Sequence, residues 1–453
     1  MKKITVTPKC IGYGLKYIGW SGRGWVDGGP AGAGPLSSRA PSWDSYGQEI
    51  GINMVRIGFS IKHFLPAKIS GYDSLPDQIK KGLENREACW AKSEQTSYSY
   101  ALHRCRDLGW KALICLNPSY KSPWNPSRIT SSSTFLKIWK DFCFGLAKFI
   151  AENYPAAAEY FEITNEPDIG YFDGESFLPH YQGPGGGISP SQYMLLLQNA
   201  WQGIKNAWPQ AKIIGPGLAS WNREWIAKIL RQGRSYVDGI SYHNVGGHLK
   251  DRDTLDEARS LLSRYAPHAV NSIFNSEWAW WPYHDPESLE TALRIAHILY
   301  LQTSGKACGS LYLGPSQASG FKKGLGVLKF DPSNPNQVKR TRTFYAFRLM
   351  ARGVKGGKQM EVIHAFKKLK MLALLRERKE LVITIINPSR KRFKKMAIRV
   401  DASIPLKKES YLVFSRFDIH HNDSLEKKDS SVLERFDVEP KSIIQFVVPI
   451  SGP

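Results

Sequence analysis

A chain of 453 residues with 42% hydrophobic and 23% charged side chains has globular composition and can bury a large core without metal or disulfide staples, which excludes disordered and collagen-like classes. The length exceeds one ordinary domain and fits a barrel of about 250 to 350 residues with a smaller domain appended. A formal charge of +22 suits an anionic partner (nucleic acid, acidic polysaccharide or a membrane surface) as well as a solvated, self-repelling surface, and it is silent on fold.

The basicity is concentrated toward the C-terminal quarter, where residues 351–453 carry roughly ten of the excess charges. Six cysteines, Cys10, Cys89, Cys105, Cys115, Cys143 and Cys308, show neither a CxxC pair nor zinc-like spacing with histidine, so they read as reduced core thiols. Two lysines open the chain, but Ile-Thr-Val-Thr-Pro follows, which is unlike a signal peptide, and no segment reaches transmembrane length. Both a cytoplasmic location and export with a removed leader fit, and the oligomeric state is left open.

In chain order, short β-rich apolar runs alternate with longer helical stretches, the pattern of βα units. Strands are predicted at 14–19, 54–59, 111–117, 160–165, 212–215, 239–243, 272–276 and 309–313. The clearest helix is 133–153, where Phe135, Ile138, Trp139, Phe142, Leu146, Phe149 and Ile150 form an apolar stripe. Eight parallel strands with covering helices predict a (β/α)₈ TIM barrel, because a doubly wound sheet usually stops at about five or six. A last helix at 343–352 precedes Gly353-Val-Lys-Gly-Gly357, a break that places a domain boundary near 354. The expected domains are a barrel over 1–353 and an all-β sandwich over 354–453, the latter from runs at 381–386, 395–400, 411–414 and 442–448 between Asn/Asp/Ser turns. Residues 1–10 could add a strand to either. The glycine-rich stretch 22–29 has neither GxGxxG spacing nor a Walker lysine, so it reads as a loop after the first strand.

Chemistry in such a barrel sits where the strands end. The fourth strand ends Tyr160-Phe-Glu-Ile-Thr-Asn-Glu-Pro-Asp168 and the seventh Ser272-Ile-Phe-Asn-Ser-Glu-Trp-Ala-Trp-Trp281. Strands four and seven lie roughly across the mouth, so Glu166 and Glu277 could face one sugar. Glycosidic cleavage needs such a pair, one carboxyl to protonate the leaving oxygen and one opposite the anomeric carbon, and a separation of about 5 to 5.5 Å makes the reaction retaining. Alone, Asn-Glu-Pro is also a common strand-end turn; the second strand-terminal glutamate, beside aromatic walls suited to pyranose stacking, favours catalysis. Arg56, near the second strand's exit, is the natural donor to keep one carboxylate ionised.

These residues resemble clan A of the glycoside hydrolases, especially its families 39 and 51. Gly51-Ile-Asn-Met-Val-Arg56, Phe161-Glu-Ile-Thr-Asn-Glu-Pro167, Val237-Asp-Gly-Ile-Ser-Tyr-His243 and Phe274-Asn-Ser-Glu277 occur in the clan's order and span most of the barrel. The resemblance implies that Glu166 is the general acid/base and Glu277 the nucleophile, that Asn165 binds the sugar 2-hydroxyl, and that Arg56 and His243 support the carboxylates. It also implies retention through a covalent glycosyl-enzyme, with no metal or organic cofactor. Thr164 stands where many relatives carry tryptophan, and Gly309-Ser-Leu-Tyr-Leu-Gly314 lacks the clan's frequent eighth-strand tryptophan. Xylosidases, glucanases, mannanases and glucuronidases share this chemistry, so the sugar stays unnamed.

Trp124, Trp221, Trp280 and Trp281 fall on the expected active face, where sugar stacking and ordinary packing compete. Tyr242 and His243 end the sixth strand, with a supporting role at the site set against a structural one. Glu162 shares the Glu166 side of its strand lower down and reads as a buried structural carboxylate that needs a partner. Asp168 and Asp173 fall on the following loop, and 181–190 is a glycine-rich connection that would form a substrate rim or a plain surface loop. The run Arg390-Lys-Arg-Phe-Lys-Lys395 is a solvated face or a grip for an acidic glycan, with no nucleic-acid motif beside it. The leading expectation is a retaining hydrolase of a β-linked glycoside or oligo- or polysaccharide. The alternative is a non-catalytic carbohydrate-binding barrel attached to an anionic polymer through its basic surface. Nucleic-acid binding rests on charge alone.

Overall fold

The computed structural model describes residues 2–21, 43–65, 98–119, 126–169, 187–245, 251–279, 285–313, 316–318, 326–331, 334–377, 379–407, 412–418 and 420–451. After an N-terminal strand, β1 (Lys2–Tyr13), eight parallel strands follow: β2 (Tyr17–Ser21), β3 (Met54–Ser60), β4 (Lys111–Asn117), β5 (Ala158–Ile163), β6 (Lys212–Ile214), β7 (Ile240–Val245), β8 (Ile273–Ala279) and β9 (Gly309–Leu313). They pair in the order β6-β5-β4-β3-β2-β9-β8-β7. Single parallel bridges, Ile214 with Gly239 and Leu218 with Tyr242, join the two ends into a barrel. All eight predicted strands are present. The first begins three residues later than expected because Leu15 bridges to Lys355, so its backbone serves the chain that leaves the last helix.

Alternation along each strand sends one face inward. Tyr17, Met54, Leu113, Tyr160, Ile214, Phe274, Cys308 and Leu311 meet inside the barrel as an apolar floor, which leaves only the upper end open to chemistry. Outward residues join the helices in the main core. The helix Ser133–Asn153 is capped by Ser132, whose side chain accepts from the Phe135 N–H, and it buries Ile138, Trp139, Phe142, Leu146 and Ile150 on the expected stripe. Cys105, Cys115, Cys143 and Cys308 are buried free thiols and Cys10 is exposed. No described helix is long and apolar enough to cross a membrane.

A small sheet of β10 (Ser316–Ala318), β11 (Leu328–Asp331) and β12 (Asn334–Arg340) follows the barrel, and then the helix Arg342–Val354. The remaining strands are β13 (Lys358–Ile363), β14 (Lys370–Arg376), β15 (Glu380–Asn387), β16 (Phe393–Val400), β17 (Leu412–Phe417), β18 (Ser424–Lys428), β19 (Phe436–Val438) and β20 (Ser442–Pro449). With β1 they form one hydrogen-bonded sheet in the order β18-β17-β20-β15-β14-β13-β1-β16-β19. The sheet bends over itself like a sandwich, so Phe436 of β19 meets Phe446 of β20 edge-on at 5.0 Å across a shared apolar core. The N-terminal run pairs antiparallel with β13 and parallel with β16. The helices Leu289–Ser304 and Arg342–Val354 pack on β14 and β15, where Gln445 donates to the Leu349 carbonyl at 3.0 Å.

Candidate active site

Above the apolar floor the inward positions turn polar. Arg56, two residues after Met54 on β3, points the same way and is buried. Its Nε and Nη2 donate to Glu162 Oε2 at 2.6 and 2.5 Å, and Ser276 Oγ donates to Glu162 Oε1 at 2.6 Å. Burial pushes the Glu162 carboxyl up, yet the Arg56 charge and these hydrogen bonds hold it below its ordinary value. The partner that Glu162 requires is therefore Arg56. From this anchor, Nη1 reaches Glu277 Oε2 at 2.9 Å and Nη2 reaches Asn165 Oδ1 at 2.7 Å. One guanidinium thus sets three acceptors at once, which its planar fork of donors permits.

Glu277 reaches the mouth through an irregularity. Along β7 and β8, Tyr242 pairs with Asn275 but His243 pairs with Glu277, so Ser276 is an extra residue on β8. This bulge brings Ser276 and Glu277 both to the inner side, after which Trp278 returns to the outer layer against Tyr312, with ring centroids 4.9 Å apart. Ser21, at the end of β2, donates to the same Glu277 oxygen at 3.0 Å. Oε2 therefore holds two donors, and Oε1 has none among the described residues.

Glu166 stands on a turn rather than on its strand. Thr164 and Glu166 have φ of 65° and 42°, the left-handed region that a β-branched residue such as threonine rarely enters. Hydrogen bonds hold the turn: Thr164 N to Leu116 O at 2.9 Å, Glu166 N to Gly217 O at 2.7 Å, and Asn165 N to Asn117 Oδ1 at 2.7 Å. Asp168 continues the brace by accepting from the Ala219 N–H at 3.0 Å. Glu166 Oε1 lies 2.9 Å from His243 Nδ1. Burial pushes the Glu166 carboxyl up to about 7, with Arg56 opposing and Glu162 reinforcing the shift. Burial also lowers His243, so the imidazole is neutral and can donate to the carboxylate or accept from the acid.

One ligand atom each of Glu166, His243 and Glu277 lie within 4.8 Å of one another. Three such donors could hold a divalent ion, but the Arg56 guanidinium 2.9 Å from Glu277 already supplies fixed positive charge and would repel a second cation.

The structure brings together Arg56, Asn165, Glu166, His243 and Glu277. It does not bring Tyr242 to them: the residue next to His243 faces outward and is buried against Trp221, ring centroids 5.8 Å apart. Trp221 lies beyond β6, donates Nε1–H to Glu257 at 2.5 Å and is partly exposed. Trp124, Trp280, Trp281, Asp173 and most of the 181–190 connection lie outside the described residues. Sequence reasoning missed Ser21, Asn117, Gly217 and Ser276. The available signal was position alone, since Ser21 and Asn117 end inward-facing strands.

The barrel and the appended sheet are a fold shared with solved glycosidase structures. No family model matches the sequence, and no curated protein matches it. Among solved structures, the chain is similar to an alpha-L-arabinofuranosidase from Thermotoga maritima, with 15% identity, a TM-score of 0.66, and 99% of this chain and 100% of that one covered. It is similar to a GH30 endoxylanase from Clostridium papyrosolvens, with 12% identity, a TM-score of 0.63, and 99% and 100% covered. A monomeric beta-xylosidase from Caulobacter crescentus gives 13% identity and a TM-score of 0.63, with both chains covered over 100%. Identities this low speak for the fold alone.

Proposed function

We propose that this chain is a retaining glycoside hydrolase acting on a β-linked glycoside or an oligo- or polysaccharide. The observation that carries the reading is the approach of Glu166 and Glu277 oxygens to within 4.8 Å across the barrel mouth, close to the separation of about 5 to 5.5 Å between carboxyls that suits direct attack rather than an interposed water.

Glu277 Oε2 is occupied by Arg56 and Ser21, so Oε1 attacks the anomeric carbon. Glu166, protonated up to about pH 7, gives its proton to the departing glycosidic oxygen as the carbon–oxygen bond breaks. The resulting ester removes one of the two carboxylates that neutralise Arg56. Its field on Glu166 strengthens and the Glu166 pKa falls. Glu166 then takes a proton from water, whose oxygen attacks the anomeric carbon and releases Glu277. Asn165, with Oδ1 committed to Arg56, stands beside the two carboxylates where a sugar hydroxyl would lie, and neutral His243 holds Glu166 in place.

A 2-deoxy-2-fluoro glycoside should label Glu277, and Glu277→Gln should fold while losing turnover of aryl β-glycosides by about four orders of magnitude. Glu166→Gln should retain more activity on substrates with good leaving groups, and azide should rescue its second step. Undiminished turnover in the Glu277 variant would remove the nucleophile from the scheme.

A further inference from the structure

The bent sheet has a strongly cationic end. Residue Lys370 of β14 pairs with Ile386 of β15, and Asn387 pairs with Ser442 of β20, so the connections 364–369, 388–392 and 439–441 emerge side by side. Phe366 meets Phe393 edge-on at 5.8 Å, which draws the first connection against the second. Buried Asn387 binds the other two: its Nδ2 donates to Lys391 O at 2.8 Å and Glu439 O at 2.6 Å, and Lys441 N donates to Ser389 O at 2.9 Å. These loops present Lys367, Lys368, Arg390 and Lys391, all exposed. Asp437 and Glu439, beside these loops, are both taken by Arg392, and the four exposed cations have no acidic partner among the described residues.

This end faces the same way as the barrel mouth. Barrel helices run from the active face back to the opposite one. The far end of β14, Arg376, donates to the Arg352 carbonyl in the last turn of the helix Arg342–Val354, which marks the opposite face. The near end, Lys370, is close enough to His297, midway along the helix Leu289–Ser304, for its charge to help lower that imidazole. The cationic loops extend beyond it toward the active face.

We infer that the loops carrying Lys367, Lys368, Arg390 and Lys391 form a binding surface for an anionic polysaccharide, bearing carboxylates or sulfates, on the side of the molecule toward which the barrel mouth opens. The inference rests on the glycosidase reading for its choice of polymer. Loops already braced through Asn387 and the Phe366–Phe393 contact lose little freedom on binding, and cations without acidic partners need break no ion pair. Retention should weaken with salt as counterions are released.

The test uses the whole chain and a variant with Lys367, Lys368, Arg390 and Lys391 all changed to Gln. A control with the same charge change carries Gln at Arg106, Lys148, Arg231 and Arg234 on the barrel helices. Binding is measured to size-defined oligogalacturonate, dextran sulfate, uncharged dextran and a single-stranded oligodeoxynucleotide of similar charge. The expected result is that the loop variant binds one or both acidic glycans about tenfold or more weakly, with the control and the thermal midpoint unchanged. Equal binding by the loop variant and wild type overturns the inference, as does equal affinity for uncharged dextran or tighter binding of the oligonucleotide. Turnover of small aryl glycosides, followed in parallel, should be the same in wild type and loop variant. Its absence in both would count against the glycosidase reading and leave the binding result to be judged separately.

Discussion

Arg56 is the residue on which the site turns, because its charge is shared among Glu162, Glu277 and the Asn165 amide. Ser21 adds a smaller term of the same kind: a hydroxyl donating to a carboxylate contributes about 1.5 to 3 kcal/mol. With Arg56 still in place, Ser21→Ala should lower kcat about tenfold at little change in KM; steady-state kinetics showing an unchanged kcat would reduce Ser21 to a spectator. Glu166 makes two pH predictions. In the proposed role of general acid it must be protonated, so kcat/KM should fall as pH rises through about 7. The stability effect has the same direction. The folded-state pKa is raised above the ordinary 4.5, so between those values the unfolded chain has already released the proton that the native state keeps. Stability therefore declines as pH rises, by about 3 kcal/mol once above 7. Urea unfolding of Glu166→Gln should show a gain of about that size over wild type at pH 8 that is absent at pH 4. Of this layer, the sequence displays the two strand-terminal glutamates and Arg56. It is silent on Ser21, because a lone serine before a glycine-rich stretch has no pattern around it.

At the scale of elements, the site is made where regular structure breaks. β8 needs its bulge to turn Glu277 inward directly after Ser276, and β5 must end at Ile163 so that the left-handed Thr164 and Glu166 can lift the Glu166 carboxyl out of the strand. Gly217 completes the arrangement from the β6 exit. A Cβ there would lie 3.1 Å from the Glu162 carboxyl, tighter than comfortable contact, and Glu162 is pinned by Arg56 and Ser276. Gly217→Ala should therefore push Glu162, and Arg56 with it, costing about 1 to 3 kcal/mol of stability and about tenfold in kcat/KM. Wild-type kinetics for this variant would mean that Glu162 can shift without disturbing Arg56. Hydrophobic alternation makes the strands legible in one dimension, but a bulge is defined only against a partner strand. That is also why Tyr242 and His243, neighbours in sequence, read alike and end on opposite faces of β7.

In the whole molecule, β1 joins the beginning of the chain to its end. Lying between β13 and β16, it buries Ile4 and Val6 in the core of the second sheet. Ile4→Ala should cost about 2 to 5 kcal/mol by urea unfolding; a loss below 1 kcal/mol, about the least expected of a buried side chain, would mean that β1 is an edge ornament. The sequence reading of a sandwich from separate short strands is met by one continuous sheet folded over, since hydrogen bonding through β1 links what would otherwise be two layers.

The sequence by itself determined the eight strand positions, the helical stripe of 133–153 and the placing of Glu166 and Glu277 at strand exits, because apolar periodicity and the polar break that ends it are local properties of the chain. Only the tertiary structure decided that Arg56 bridges Glu162 and Glu277, that Ser21 shares the Glu277 oxygen, and that β1 belongs to the C-terminal sheet. Those contacts join residues 106, 221, 256 and several hundred positions apart. Such pairings depend on how strands close around one another, and no pattern within a single segment encodes that.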